Sequence, residues 1–363
     1  MAPCIWTTAG YPARQGWVAA PNPSAPSLNG LLTLSTHGLR IAVDGMGGDF
    51  APEQAVLGAA EATQDLGVDV VVVGLPDRVQ RLLDAHPRLR FVPASQVVEM
   101  RDHPGQAVRS KTDSSISVCA RLCKSGEVSA WVSAGNSGAI MAAALLIQGR
   151  IRGVDRPALG TILPTATEPA YFLDVGANVD SRPEFLVQFA QMGAIYAEEV
   201  LGRADPSVAL LSNGEEEGKG DERVRDASIR LKRDGHVRFI GNVEPKDVLS
   251  GRADVVVADG FVGNIAIKMA EATADLVFRT MRNEIPRTLT GKAGGLLIRS
   301  GVGRIRARMD WREFGGAPLL GIEGIAVVAH GRSDARAMKN AIRVAKQAVE
   351  ANLVGKIRGA FGK

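Results

Sequence analysis

From Leu39 onward the chain alternates short apolar runs with longer amphipathic stretches. Ile41-Ala42-Val43, Val68 to Val73, Val128 to Ser133, Tyr171 to Val175, Ser207 to Leu211, Ala253 to Ala258 and Ile325 to Ala329 are apolar and only a few residues long. Runs of that length and bulk read as buried strands. A shorter strand is expected near Arg90 to Val92. Helices are expected from Pro52 and Glu53, over Asp77 to Ala85, through Cys119 and Cys123, after Gly138, over Pro183 to Leu201, after Asp221, after Asn264, and after Asp334 to about Leu353. Strands alternating with helices predict an α/β fold, a three-layer and mostly parallel sheet with helices on both faces.

The junctions between these elements repeat one chemistry. Strand ends run into Ala134-Gly135-Asn136-Ser137-Gly138, Gly176-Ala177-Asn178-Val179-Asp180, Leu211-Ser212-Asn213-Gly214-Glu215-Glu216-Glu217-Gly218-Lys219-Gly220 and Asp259-Gly260-Phe261-Val262-Gly263-Asn264. In a parallel sheet, ligands sit beyond the carboxyl ends of the strands, where helix N-termini offer free N–H groups and a partial positive charge. Taken alone, the 211–220 loop reads as a solvated acidic turn. Four junctions carrying Gly with Asn instead predict one shared cleft for a phosphate or a carboxylate.

Several familiar signatures fail on spacing. The first junction, Asp44-Gly45-Met46-Gly47-Gly48-Asp49, lacks the last glycine of a dinucleotide fingerprint because Phe50 stands there. Gly135-Asn136-Ser137-Gly138-Ala139 misses the nucleophile elbow because Ala139 takes the second glycine's place. No His-Glu-x-x-His, clustered Asp ligands or P-loop occurs, so neither a catalytic metal nor a nucleoside triphosphate is indicated. Arg109-Ser110-Lys111-Thr112-Asp113-Ser114-Ser115 could hold an anion or cap the cysteine-bearing helix.

Composition narrows the class further. The 363 residues, 45% hydrophobic, are enough to bury a large core. A net charge of +4 and 5% aromatic residues give no reason to expect a nucleic-acid partner. Three cysteines, Cys4, Cys119 and Cys123, without paired Cys-x-x-Cys spacing point to a reducing, cytoplasmic setting. Residues 1–38, rich in Pro, Ser, Thr, Gly and Ala, are expected to be a disordered extension. Between Gly291 and Met309, apolar residues alternate with Lys292, Arg299, Arg304, Arg306 and Arg308 with no acid among them. Such a segment is too short and charged to span a bilayer. It suits an anionic membrane surface or an acidic protein, and equally a surface helix whose arginine stems cover core.

Five motifs in this order carry a family resemblance: residues 41–49, 133–139, 173–178, 213–220 and 258–264. The chain resembles the bacterial phosphate acyltransferases of phospholipid synthesis (PlsX type), which transfer a fatty acyl group from acyl carrier protein to inorganic phosphate. It departs from them at Gly45, where the family usually has Ala, in a thinner basic run around Arg109 to Lys111, and in residues 1–38. The resemblance implies two α/β lobes around a cleft, similar to isocitrate and isopropylmalate dehydrogenases, over residues 39–363, with a basic amphipathic segment at about 284–309. It implies a homodimer with no metal or nucleotide cofactor. The protein would lie at the inner face of the cell membrane and pass acyl phosphate to a membrane glycerol-3-phosphate acyltransferase.

Under this reading phosphate rests on the helix N-termini after Asn136 and Asn178, steadied by Lys219. The oxyanion is met by Lys219 or by the amides of Asn213 and Asn264, Glu217 orients Lys219, and Asp259 holds its turn. Asp44, Gly47, Gly48, Lys111, Ser137, Gly138 and His330 complete the expected substrate contacts. Two rivals share parts of this pattern: a phosphotransacetylase using short acyl-CoA, and an acyl-binding scaffold without catalysis.

Overall fold

A computed structural model describes residues 38–362; residues 1–37 of the expected extension, Cys4 among them, lie outside them. Eleven strands form one sheet: β1 (Arg40–Asp44), β2 (Asp69–Gly74), β3 (Arg90–Pro93), β4 (Ala130–Ser133), β5 (Ala158–Leu163), β6 (Ala170–Leu173), β7 (Ser207–Leu211), β8 (Arg238–Val243), β9 (Val255–Val257), β10 (Ala317–Leu320) and β11 (Ala326–Val328). Their spatial order is β3-β2-β1-β4-β11-β10-β5-β6-β9-β7-β8. The expected apolar runs all form strands. β5, β8 and β10 are additions.

The sheet is parallel on either side of a central seam. From β3 to β11 every neighbour pair is parallel, and so is every pair from β6 to β8. At the seam β10 is antiparallel to both β11 and β5, and β5 is antiparallel to β6. Three reversals leave the two parallel halves running in opposite directions. The carboxyl ends of β1, β4 and β11 therefore lie at one edge, and those of β6, β7 and β9 at the other. The Gly/Asn junctions therefore approach from two opposite edges of the sheet, where one edge was expected.

Alternation along the strands divides the core into layers, since successive side chains point to opposite faces. Ile41 and Val43 join one cluster with Tyr171, Leu173, Phe189, Met338 and Ala345, beneath the helices Glu53–Asp65, Pro183–Glu199 and Ala335–Glu350. Ala42 joins the opposite cluster with Cys119, Trp131 and Ile140, beneath Ser115–Lys124 and Ser137–Ala143. Phe172, Ala209 and Val256 form a third cluster, against which Ala266 and Ile267 pack. These last two belong to the helix Gly260–Glu284, which follows β9 and packs against β5 and β6. The helix Leu289–Arg308 follows it and has no buried residue. No helix among the described residues is long and apolar enough to cross a membrane.

Candidate active site

The strand ends are tied down first. Asp44, at the end of β1, is buried; its carboxylate accepts from Ser133 Oγ at 2.6 Å and from the Met46 N–H at 3.0 Å. Burial pushes this carboxyl up, against the pull of those bonds. Gly47 lies so close to the next junction that a Cβ there would stand 2.6 Å from the Gly135 nitrogen. Gly48 holds φ +104°, and Asp49 donates its N–H to the Gly331 carbonyl at 2.8 Å. Asp44, Gly47 and Gly48 thus join the ends of β1, β4 and β11.

The asparagines are struts. Asn136 caps the helix Ser137–Ala143 by accepting from the Ala139 N–H at 3.1 Å, while its Nδ2 reaches the carbonyls of Glu99, Met100 and Asp102. At the opposite edge Asp174, fully buried, accepts from the N–H groups of Leu159, Gly176, Ala177 and Asn178 and from Asn178 Nδ2. Asn178 Nδ2 also donates to the Pro157 carbonyl at 2.8 Å. Asn264 Nδ2 donates to the Val175 carbonyl at 2.9 Å, pressed against Gly176, where φ is +135°. Asp259 caps the helix Gly260–Glu284 and accepts from the Ser181 N–H at 2.7 Å. Burial raises its carboxyl, but the Ser181 and Phe261 bonds and Arg223 outweigh it, so the net shift is downward.

Between the two edges lies a cleft of about 1570 Å³ that runs along the seam under the helix Gly260–Glu284. Leu159, Ile162, Val262, Ile265, Met269, Val277, Met281 and Ile305 make much of its wall apolar. All four Gly/Asn junctions reach it, through Ser137, Gly176, Asn213 and the pair Asp259 and Asn264. One region is polar: Asp49, Lys268, Glu271, His330 and Arg332 converge there. Lys268 and Arg332 have no acidic side chain within ion-pair distance among the described residues. The Arg332 N–H donates to His330 Nδ1 at 3.1 Å, so the neutral ring carries its hydrogen on Nε2. Burial, then Arg332, hold the His330 pKa below its usual value, against the pull of Asp49.

A long apolar groove ending at cations and an imidazole donor fits an acyl group bound beside an anion. The comparisons agree. The model of the family described as "Fatty acid synthesis protein" matches residues 39–356. A "Phosphate acyltransferase" of Dictyoglomus turgidum is 46% identical over 330 residues, covering 90% of this chain and 98% of that protein. The chain belongs to the phosphate acyltransferase family. Another relative, the phosphate acyltransferase of Desulfitobacterium hafniense (strain Y51), is 48% identical over 324 residues, covering 88% of this chain and 96% of its own. Among solved structures, the EutD phosphotransacetylase from Staphylococcus aureus superposes with a TM-score of 0.56 at 18% identity, covering 86% of this chain and 94% of that one. A 4-hydroxythreonine-4-phosphate dehydrogenase from Klebsiella pneumoniae gives 0.51 at 16% identity, covering 85% and 97%. These two likenesses concern the fold.

The remaining expected residues of this family member are placed as follows. Asn213 lines the cleft, and its Oδ1 accepts from the Gly220 N–H at 2.9 Å, closing the 213–220 loop. Lys219 stands exposed on that loop, its stem over Gly214. Glu217 pairs with Lys232 rather than with Lys219, so the expected orienting contact is replaced by one that ties the loop to the following helix. Lys111 is held by Asp102 at 2.6 Å and by the Val97 carbonyl at 2.9 Å, which makes it a fastening of its own loop. Gly138 packs against Pro104. Cys119 is buried and its thiol is pushed well up by desolvation, so it is a packing residue. Among the described residues no group of three or more His, Cys, Asp or Glu could hold a metal.

Sequence reasoning missed Lys268, Arg332 and Arg223. Arg223 lines the cleft and forks onto Asp221 at 2.7 Å and Asp180 at 3.2 Å, with Asp259 at 3.8 Å. Arg332 sits in the connection between β11 and the helix Ala335–Glu350.

Proposed function

We propose that this chain transfers a fatty acyl group from acyl carrier protein to inorganic phosphate, giving acyl phosphate for phospholipid synthesis. The observation that carries the proposal is the juxtaposition of an apolar groove with Lys268, Arg332 and His330 at one cleft. The groove takes the acyl chain, and the two cations take phosphate. Inorganic phosphate, whose second ionisation lies near neutrality, is in good part the nucleophilic dianion at working pH. A phosphate oxygen attacks the thioester carbonyl, the tetrahedral oxyanion receives a hydrogen bond from His330 Nε2–H, and the thiolate of the donor departs. Thiols ionise near pH ~8.5, so this leaving group needs little assistance. Positioning and charge stabilisation then supply most of the rate.

Lys219 serves at the rim of the same cleft, with Asn213 beside it. Asn136, Asn178, Asn264 and Asp259 hold the loops on which Ser137, Gly176 and the helix Gly260–Glu284 are presented. The exposed apolar side chains of that helix outside the cleft, Phe261 and Leu276, support a homodimer packed through it. The helix Leu289–Arg308 supports peripheral attachment to an anionic membrane, where acyl phosphate passes to a membrane glycerol-3-phosphate acyltransferase.

The test is thiol release from long-chain acyl carrier protein by the purified protein, with and without inorganic phosphate. Phosphate-dependent release with acyl phosphate as product is expected. Release that ignores phosphate, or none from a folded protein, overturns the proposal, and faster turnover of short acyl-CoA favours the phosphotransacetylase reading. Arg332→Gln is expected to raise the KM for phosphate about tenfold, the loss of one charge-assisted contact. Lys219→Ala with wild-type turnover removes Lys219 from the scheme.

A further inference from the structure

Outside the cleft, one charged recess has no use in the scheme above. Arg150, Arg156 and Arg182 line a hollow of about 390 Å³ together with Asp155, Glu184 and Phe185. The guanidinium carbons of Arg156 and Arg182 stand 5.9 and 5.8 Å from the centre of the Phe185 ring. Stacking on the ring holds each guanidinium plane and leaves N–H groups at its edges for a partner.

The two acids of the recess are engaged elsewhere. Glu184 pairs with Arg230 at 2.9 Å, and the Asp155 carboxylate accepts from Gln188 Nε2 at 3.0 Å. Among the described residues no carboxylate lies within 4.0 Å of the guanidinium nitrogens of Arg150, Arg156 or Arg182. Three exposed arginines face two carboxylates, one of them already paired with Arg230, and the excess of positive charge suits an acidic partner.

The recess also has a fixed relation to the cleft. Arg156 precedes Pro157, whose carbonyl accepts from Asn178, and Arg182 follows Ser181, whose N–H donates to Asp259. A partner seated on the arginines lies beside the loops that carry Gly176 and Asp259 into the cleft.

Resting on the function proposed above, we infer that this recess is the docking surface for an acidic carrier protein that presents the acyl thioester. Its carboxylates engage Arg156 and Arg182 while its thioester-bearing arm enters the cleft past the 176–182 loop. The recess acts on a protein-borne donor and leaves a donor without the protein unaided. It is a recognition surface and touches no reacting atom.

The experiment compares two donors of the same long acyl chain, one on acyl carrier protein and one on pantetheine, which lacks the acidic protein. Both are measured with the wild type, with the double variant Arg156→Glu/Arg182→Glu and with Arg156→Lys/Arg182→Lys. The ratio of kcat/KM for the carrier donor to that for the pantetheine donor is expected to fall more than tenfold in the Glu variant and to recover largely in the Lys variant. Raising ionic strength should depress carrier use by the wild type more steeply than by the Glu variant. An unchanged ratio, or equal loss with both donors, overturns the docking assignment; equal loss would show a structural role or a small-anion site. Binding of unacylated carrier protein, followed by fluorescence anisotropy, separates the two proposals. Wild-type protein that binds the carrier through these arginines but turns over neither donor removes the acyl transfer and keeps the docking surface.

Discussion

Asn136, Asn178 and Asn264 show how a residue type is readable before its task is. Each stands in a Gly-rich junction, where sequence reasoning expects a donor for an anion. In the folded chain each amide Nδ2 donates to a backbone carbonyl at least twenty residues away, as Asn264 does to Val175. Partners so distant leave no local trace, so the spacing marks the loop without revealing what the amide bonds to. Asn178→Ala breaks bonds to the Pro157 carbonyl and to the buried Asp174 carboxylate, and is expected to cost about 1–3 kcal/mol in urea unfolding. Lys268 and Arg332 were illegible for a related reason: one lies on a helix and the other in a turn, brought together only by tertiary packing. His330, between them, carries a sign that can be tested. Its pKa is lowered in the fold, so below about pH 6.5 the unfolded chain takes up the proton first and stability falls. The loss of melting temperature between pH 7 and pH 5.5 should therefore be smaller in His330→Gln than in the wild type.

Among the elements, the pair of helices Gly260–Glu284 and Leu289–Arg308 is the one whose pattern was readable and whose packing was not. Alternating apolar and basic residues predicted an amphipathic segment, and the segment is helical. Periodicity is the same whether the apolar stripe meets core, a second chain or lipid. In the fold Leu289, Leu296 and Leu297 are 84%, 70% and 83% exposed. The arginine stems of this helix therefore do not cover core. If the stripe meets an anionic membrane, Arg304→Glu with Arg306→Glu and Arg308→Glu removes its electrostatic attraction. Flotation with phosphatidylglycerol liposomes is expected to be lost while the melting temperature stays nearly constant, because no side chain of the helix is buried. Undiminished flotation counts against the attachment.

At the scale of the whole molecule, the apolar runs specified the buried parallel strands, and the seam escaped them. β10 is only Ala317–Leu320, follows two glycines of positive φ, and contains Pro318, which demotes a strand in any propensity reading. β5 alternates little, and its antiparallel pairing is fixed by the distant β6 and β10. The reversal they produce is the difference between one shared edge and a cleft that crosses the sheet.

The placing of β10 and β11 also bears on how the chain comes to be made. These late strands lie between β4 and β5, so for most of translation both of those neighbours carry an unpaired backbone edge toward the seam. The ribosome must deliver residues 317–328 before the two halves become one sheet, which is a non-local closure of the slow kind. Release of a nascent chain ending at Gly316 should yield a protease-sensitive, aggregating product in pulse proteolysis, whereas a compact product would show that each half closes alone. A folding helper that shields the edges of β4 and β5 would find its work concentrated in that interval of synthesis.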